Sequence, residues 1–220
     1  MNMDKIELRD FYLYITPNRH EQSQGAVIIS HGSGGISDIN LKFAYIACAN
    51  NYDVFIIDHF TKRNIKSQYW HDLNELCTFD NMAEDILKLI SIEKEYDKIL
   101  LSGISAGGTG AILTSSYVTK TFVICPALAF IDPLYGAKNL TIIAGIKDDW
   151  CPINQARKYQ KEVQCKLIEL PCYHGFLNPR EDRFLKDTIS LREGHPKGVT
   201  VKYDKECAEK TYWLFEEWLF

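Results

Sequence analysis

No stretch of this chain approaches the roughly 20 apolar residues that a bilayer-crossing helix needs, so no membrane span is expected. Basic residues never run longer than two in a row, and 25 Lys and Arg face 29 Asp and Glu, for a net charge of −4. Such a chain lacks the electrostatic footprint of a nucleic-acid binder. The seven cysteines (48, 77, 125, 151, 165, 172 and 207) are odd in number and form no CxxC pair. That usage fits neither a disulfide framework nor a zinc knuckle. Internal repeats, low-complexity tracts and linker-like stretches are also missing, so residues 1–220 are expected to form one domain. Acidic residues stand in the opening Met1-Asn2-Met3-Asp4-Lys5-Ile6-Glu7, where a secretory signal needs a basic and then an apolar stretch. The expectation is a soluble, reduced, cytoplasmic protein.

What the chain does contain is an ordinary globular balance, 46% hydrophobic and 25% charged residues. Short apolar runs recur at Ala26–Ser30, Val54–Asp58, Lys98–Ser102, Thr121–Cys125, Leu140–Ala144 and Lys166–Leu170. Rich in Ile and Val and apolar on both faces, they suit parallel strands covered by helices. Helical stripes lie between and after them: Leu41, Ala44, Tyr45, Cys48; Met82, Ile86, Leu89, Ile90; and Ala208, Tyr212, Phe215, Leu219, the last behind an Asp204 cap. This alternation predicts an open α/β fold, a mostly parallel central sheet with helices on both faces. Leu8–Thr16 reads as one added edge strand. Residues 59–78 and 176–203 show no clear period and are expected as long connections at the carboxyl end of the sheet, where such folds bind ligands.

Within that frame, Gly103-Ile104-Ser105-Ala106-Gly107 follows a strand and opens a helix of small residues. GxSxG alone arises by chance in roughly one chain in fourteen of this length, so the strand-before, helix-after context decides. A serine in that turn projects its hydroxyl above the sheet, but it needs a base, and the base needs an orienting acid. Downstream of Ser105 stand only His174 and His195. His174 directly follows a predicted strand and is the expected base, whereas His195 lies in a Gly/Pro-rich stretch. For the acid, Asp148 and Asp149 both follow Leu140–Ala144. Asp148 is preferred, with Asp149 as a negative charge at the start of the helix beginning near Pro152.

At the first core strand, His31-Gly32-Ser33-Gly34-Gly35 forms a glycine-rich turn whose backbone N–H groups suit an oxyanion. The expected donors are the amides of Ser33 and Ala106, with His31 shaping the turn. A rival reading takes Gly32-x-Gly34 and Asp58 as a dinucleotide fingerprint, but Ser37 stands where the third glycine belongs. Of the nearby aromatics, Phe60, Trp70, Trp150 and Phe176 are expected to line the substrate pocket. Lys62, Arg63, Lys66 and Lys147 fit either a solvated face or a rim that attracts carboxylates.

These segments together (VIISHGSGG, DVFIIDHFTKRNI, LLSGISAGGTGA, IAGIKDDWCP, YHGF and GVTVKYDKECAEKTYWLFEEWL) resemble the α/β-hydrolase superfamily, and within it the dienelactone hydrolase family, along nearly the whole chain. The family's G-x-x-D-x-x-x-P pattern falls on Gly145, Asp148 and Pro152, which implies Asp148 as the acid. Dienelactone hydrolases proper use an elbow cysteine where this chain has Ser105, which shifts the expectation toward a serine esterase. The resemblance implies an α/β-hydrolase fold without a large lid domain, since the Cys125–Leu140 connection is too short for one. It also implies hydrolysis of a small-molecule carboxylic ester or thioester, with no metal, cofactor, nucleic acid or membrane partner. The alternative is a catalytically silent relative serving as a binding module.

Overall fold

The computed structural model describes residues 3–17, 22–66, 77–133, 137, 139–194 and 197–220. Its centre is an eight-stranded sheet made of β1 (Met3–Arg9), β2 (Tyr12–Pro17), β3 (Ala26–Ser30), β4 (Asp53–Ile57), β5 (Ile99–Ile104), β6 (Lys120–Ile124), β7 (Leu140–Gly145) and β8 (Lys166–Leu170). The strand order is β1-β2-β4-β3-β5-β6-β7-β8. Pairs β1/β2 and β2/β4 are antiparallel, and the remaining pairs are parallel. The six predicted core strands are all present, shifted by no more than two residues at either end.

Both faces of the sheet are apolar because successive side chains point to opposite sides. Val27, Ile29, Val54 and Ile56 pack on one side with Phe43, Ala44 and Ala47 of α1 (Asp38–Ala49) and Phe215 of α5 (Lys205–Trp218). Ala26, Ile28, Phe55 and Ile57 pack on the other with Ile86 and Leu89 of α2 (Phe79–Ile92), Ile112 of α3 (Ala106–Leu113) and Ala156 of α4 (Ile153–Val163). Burying each such Ile or Phe is worth about 1.5–3 kcal/mol. Polar caps fix where the helices begin. Ser37 donates its backbone N–H to Asn40 Oδ1 (3.0 Å) at α1, and Asp204 accepts from the Cys207 N–H (3.0 Å) at α5, the cap the sequence predicts.

Two expectations are corrected. Leu8–Thr16 is not one strand: the chain turns at Asp10–Phe11, and its two arms, β1 and β2, pair as a hairpin with Leu8 opposite Leu13. Residues 176–203 are not an aperiodic connection either. They fold a second hairpin, β9 (Asp182–Ile189) with β10 (Lys197–Lys202), separate from the main sheet. It escapes a period search because β9 is exposed at most positions, Phe184 included, so no apolar alternation marks it. Its inner strand holds it down: Val199 and Val201 are buried against Trp150 and Cys151. Among the described residues no helix is long and apolar enough to cross a membrane, and the seven cysteines, all buried, form no disulfide with one another.

Candidate active site

Three strand ends meet at the carboxyl edge of the sheet. Ser105 sits between β5 and α3 at φ 52°, ψ −118°, a conformation disfavoured for a residue with a side chain. The turn is held by the Ser105 N–H donating to Ile124 O (2.8 Å) and the Thr109 N–H donating to Ser105 O (3.1 Å). Its flanking glycines are needed for space. A Cβ on Gly103 would overlap the Gly107 carbonyl, and one on Gly107 would overlap the His31 carbonyl and stand 2.6 Å from Ser30 Oγ.

His174 follows β8 and places Nε2 3.1 Å from Ser105 Oγ and Nδ1 2.8 Å from Asp148 Oδ2. The other oxygen of Asp148 accepts the backbone N–H groups of Trp150 (2.9 Å) and Cys151 (2.8 Å), so the carboxylate is fixed in the turn after β7. Asp148 and His174 are 4% and 6% exposed, respectively. The Trp150 ring tilts against the imidazole at a centroid distance of 4.8 Å. Asp149, expected as a negative charge at the start of α4, stands four residues before Ile153 and is held by the hairpin. Its Oδ1 accepts the Thr200 N–H (2.8 Å), which ties β10 to the site, while the Lys202 N–H donates to His174 O (3.0 Å).

Above Ser105 opens a cleft of about 340 Å³, bounded by Gly32–Gly35, Ile39, Trp150, His174, Leu185 and Val201. The hairpin therefore forms one wall. Ala106, the first residue of α3, has an amide with no acceptor four residues back. Ser33 lines the cleft, and among the described residues its N–H has no protein partner. At the rim, Arg183 pairs with Glu181 (Nε to Oε2, 2.9 Å).

Of the expected pocket aromatics among the described residues, Trp150 alone lines this cleft. Phe60 is buried under the glycine turn, edge-on to His31 at 4.5 Å, and Phe176 is 1% exposed in the core beneath the sheet's carboxyl end. Both were expected to contact substrate because of their place in the chain, but their side chains turn inward to fill volume. Trp70 lies outside the described residues, as do Tyr69, Tyr135 and His195. Lys62 and Arg63 form no carboxylate-attracting rim, because both pair with the buried Asp85. Asp58 spends its carboxylate on the N–H groups of Phe60 (3.0 Å) and Thr61 (2.9 Å), which leaves the dinucleotide reading without its ribose partner.

Cys125 adds a third donor beside the pair, since one ligand atom from each of Cys125, Asp148 and His174 lies within 4.8 Å of the others. Burial pushes the Cys125 thiol up, which keeps it protonated, and both ring nitrogens of His174 are already engaged. The set is thus poorly suited to a metal ion, which needs thiolate and a free imidazole lone pair.

The sheet order, the strained serine between strand and helix, and the helices on both faces define the α/β-hydrolase fold, and this chain has it. No protein-family model matches the sequence, and no curated protein is significantly similar to it. Solved structures are similar in fold at low identity. A Klebsiella pneumoniae protein provisionally assigned as a dienelactone hydrolase superposes with a TM-score of 0.71 at 13% identity, covering 94% of this chain and 91% of its own. A monoacylglycerol lipase of Paleococcus ferrophilus gives 0.66 at 13% identity, covering 98% of both chains. Thermogutta terrifontis esterase 2, in a form phosphoramylated by tabun, gives 0.65 at 14% identity, covering 100% of this chain and 95% of its own.

Proposed function

We propose that the protein is a serine hydrolase that cleaves a small to medium uncharged carboxylic ester or thioester through an acyl-enzyme. The observation that carries this reading is the unbroken chain of hydrogen bonds from Ser105 Oγ through His174 to Asp148, opening on a cleft. With Asp148 accepting from Nδ1–H, the lone pair of His174 stands at Nε2 and faces the serine hydroxyl. Ser105 Oγ attacks the carbonyl carbon as its proton passes to Nε2, and Asp148 stabilises the imidazolium. The oxyanion is received by the N–H groups of Ser33 and Ala106. Collapse expels the alcohol or thiol, which takes the proton from His174, and water activated by the same imidazole then releases the acid.

Charge and size support the substrate class. Apolar side chains of Ile39, Trp150, Leu185 and Val201 border the cleft, and the rim cation Arg183 is already matched by Glu181. A carboxylate-bearing substrate would have to displace that pairing, whereas a neutral ester enters at no such cost. The dienelactone-hydrolase-like and esterase neighbours agree with this class, and the tabun adduct of one of them recommends an organophosphorus probe. Wild type is expected to label with a fluorophosphonate and Ser105→Ala not to label. A well-folded wild type that stays unlabelled and hydrolyses no nitrophenyl ester would refute the reading and favour a silent binding module.

A further inference from the structure

Beneath the glycine turn lies a second Ser–His–Asp chain that the proposed chemistry does not use. Ser30 at the end of β3, His59 just after β4 and Asp85 on α2 are 0%, 0% and 2% exposed. Ser30 Oγ stands 2.8 Å from His59 Nε2, and His59 Nδ1 stands 2.9 Å from Asp85 Oδ2. Lys62 and Arg63 complete the carboxylate's shell, and Arg63 Nη1 also donates to His59 O (2.7 Å). From there the contacts run toward the cleft. The His59 N–H donates to His31 Nε2 (3.2 Å), and His31 Nδ1 lies 2.8 Å from the Gly32 carbonyl oxygen.

We infer that Ser30, His59 and Asp85, acting through His31, form a sealed positioning relay that orients the Gly32–Ser33 peptide so that its N–H faces the oxyanion. This rests on the reading of Ser105 as nucleophile.

Each proton in the relay follows from its partners. A backbone N–H can only donate, so His31 Nε2 is the acceptor and Nδ1 carries the proton given to Gly32 O. Burial, and then the neighbouring His59, lower the His31 pKa to about 3, so the ring is neutral. Burial also lowers His59, despite the opposing pull of Asp85. Burial alone would raise the Asp85 carboxyl, but hydrogen bonds from His59, Arg63 and Lys62 outweigh it and hold the group ionised. His59 therefore protonates Nδ1 toward Asp85 and accepts the Ser30 hydroxyl at Nε2. The Gly32 C=O and Ser33 N–H belong to one planar trans peptide and point in opposite directions. Holding the carbonyl on the buried side with His31, helped by the Gly35 N–H (3.1 Å), turns the amide toward the cleft. The relay cannot act as a nucleophile itself, because Ser30 is fully buried against the Gly107 backbone.

The test combines steady-state hydrolysis of nitrophenyl acetate and butyrate with amide NMR spectra of wild type, His31→Ala, His31→Asn, His31→Gln, His59→Gln and Asp85→Asn. His31→Ala is expected to lower kcat by about 10²-fold, as for a misaimed oxyanion donor, with KM within about twofold. Asn can keep a donor near the Nδ1 position and should restore much of the loss, whereas Gln should not. The Ser33 and Gly34 amide resonances should move in His59→Gln and Asp85→Asn, and those two variants also serve should the alanine variant fail to fold. Folded variants with unchanged kcat and unmoved Ser33 resonances would overturn the inference. If wild type neither hydrolyses esters nor labels at Ser105, the hydrolase reading falls, and a Ser33 resonance unmoved in His59→Gln still overturns the relay separately.

Discussion

Lowering the pH from 7 to 5 should destabilise this protein through histidines that the folded state keeps neutral. His31 is the clearest case, since an unfolded imidazole titrates near 6.5 and the buried one at about 3. Between those values the unfolded chain takes up a proton that the folded chain refuses, so stability falls as pH drops below about 6.5 and keeps falling toward 3. The difference between pH 7 and pH 5 comes to about 2 kcal/mol from His31 alone, or a melting shift of about 4–8 °C for a chain of this size. His59, also lowered by burial, acts in the same direction and steepens the slope. Asp85 works in a lower window. Its depressed carboxyl contributes stability above the ordinary carboxylate value, and this is lost only as pH falls through its own folded value. Urea unfolding at pH 7, 6 and 5 should therefore show a slope in wild type that is shallower by about 1 kcal/mol per pH unit in His31→Asn. Equal slopes in the two proteins would refute the neutral, buried assignment of His31.

The remaining predictions concern the two aspartates and the elbow glycine. Asp148→Asn should leave the fold intact and lower kcat by about 10⁴-fold by presenting the wrong partner to His174 Nδ1. Asp149→Ala instead removes the acceptor of the Thr200 N–H and should cost about 1–3 kcal/mol, seen as faster amide exchange along β10. Gly107→Ala sets a methyl against the His31 carbonyl and should cost about 1–3 kcal/mol in urea unfolding, with a fall in kcat; a variant as stable and active as wild type would contradict that close approach.

The parallel core was legible because its inner strands β3 to β7 are buried on both faces and so read as short apolar runs. At the sheet's edge β8 is only partly buried but keeps Leu167, Ile168 and Leu170. Ser105, His174 and Asp148 were legible for a related reason: each stands just past such a run, where strand ends must converge. The β9–β10 hairpin was not, since it buries only one inner strand and leaves Phe184 and most of β9 in solvent. Pocket aromatics were misjudged where position along the chain stood in for direction, as with Phe60 and Phe176, whose rings point into the core. One signal of the buried relay was available. Asp85 falls three residues after Met82 on the inward face of α2, and a carboxylate there demands cationic or hydrogen-bonding company. Lys62 and Arg63, two charges with no clear role as a rim, are that company.

The pattern GxSxG thus records two constraints at once. Its first glycine makes room for the strand-to-helix turn that presents Ser105, because a side chain on Gly103 would strike the Gly107 carbonyl. Its second lets the elbow settle directly on Ser30 and the His31 carbonyl, so the backbone that presents the serine also seals the relay below it. Ser105 and Ser30 make similar hydrogen-bonded chains, 3.1 and 2.8 Å to their imidazoles, and differ in access. One opens on the cleft and the other is fully buried, which leaves it free to fix geometry without competing as a nucleophile. A tightly packed glycine separates the two, so a change at that glycine should disturb both chains together, and a change in either chain should leave the other's hydrogen bonds in place.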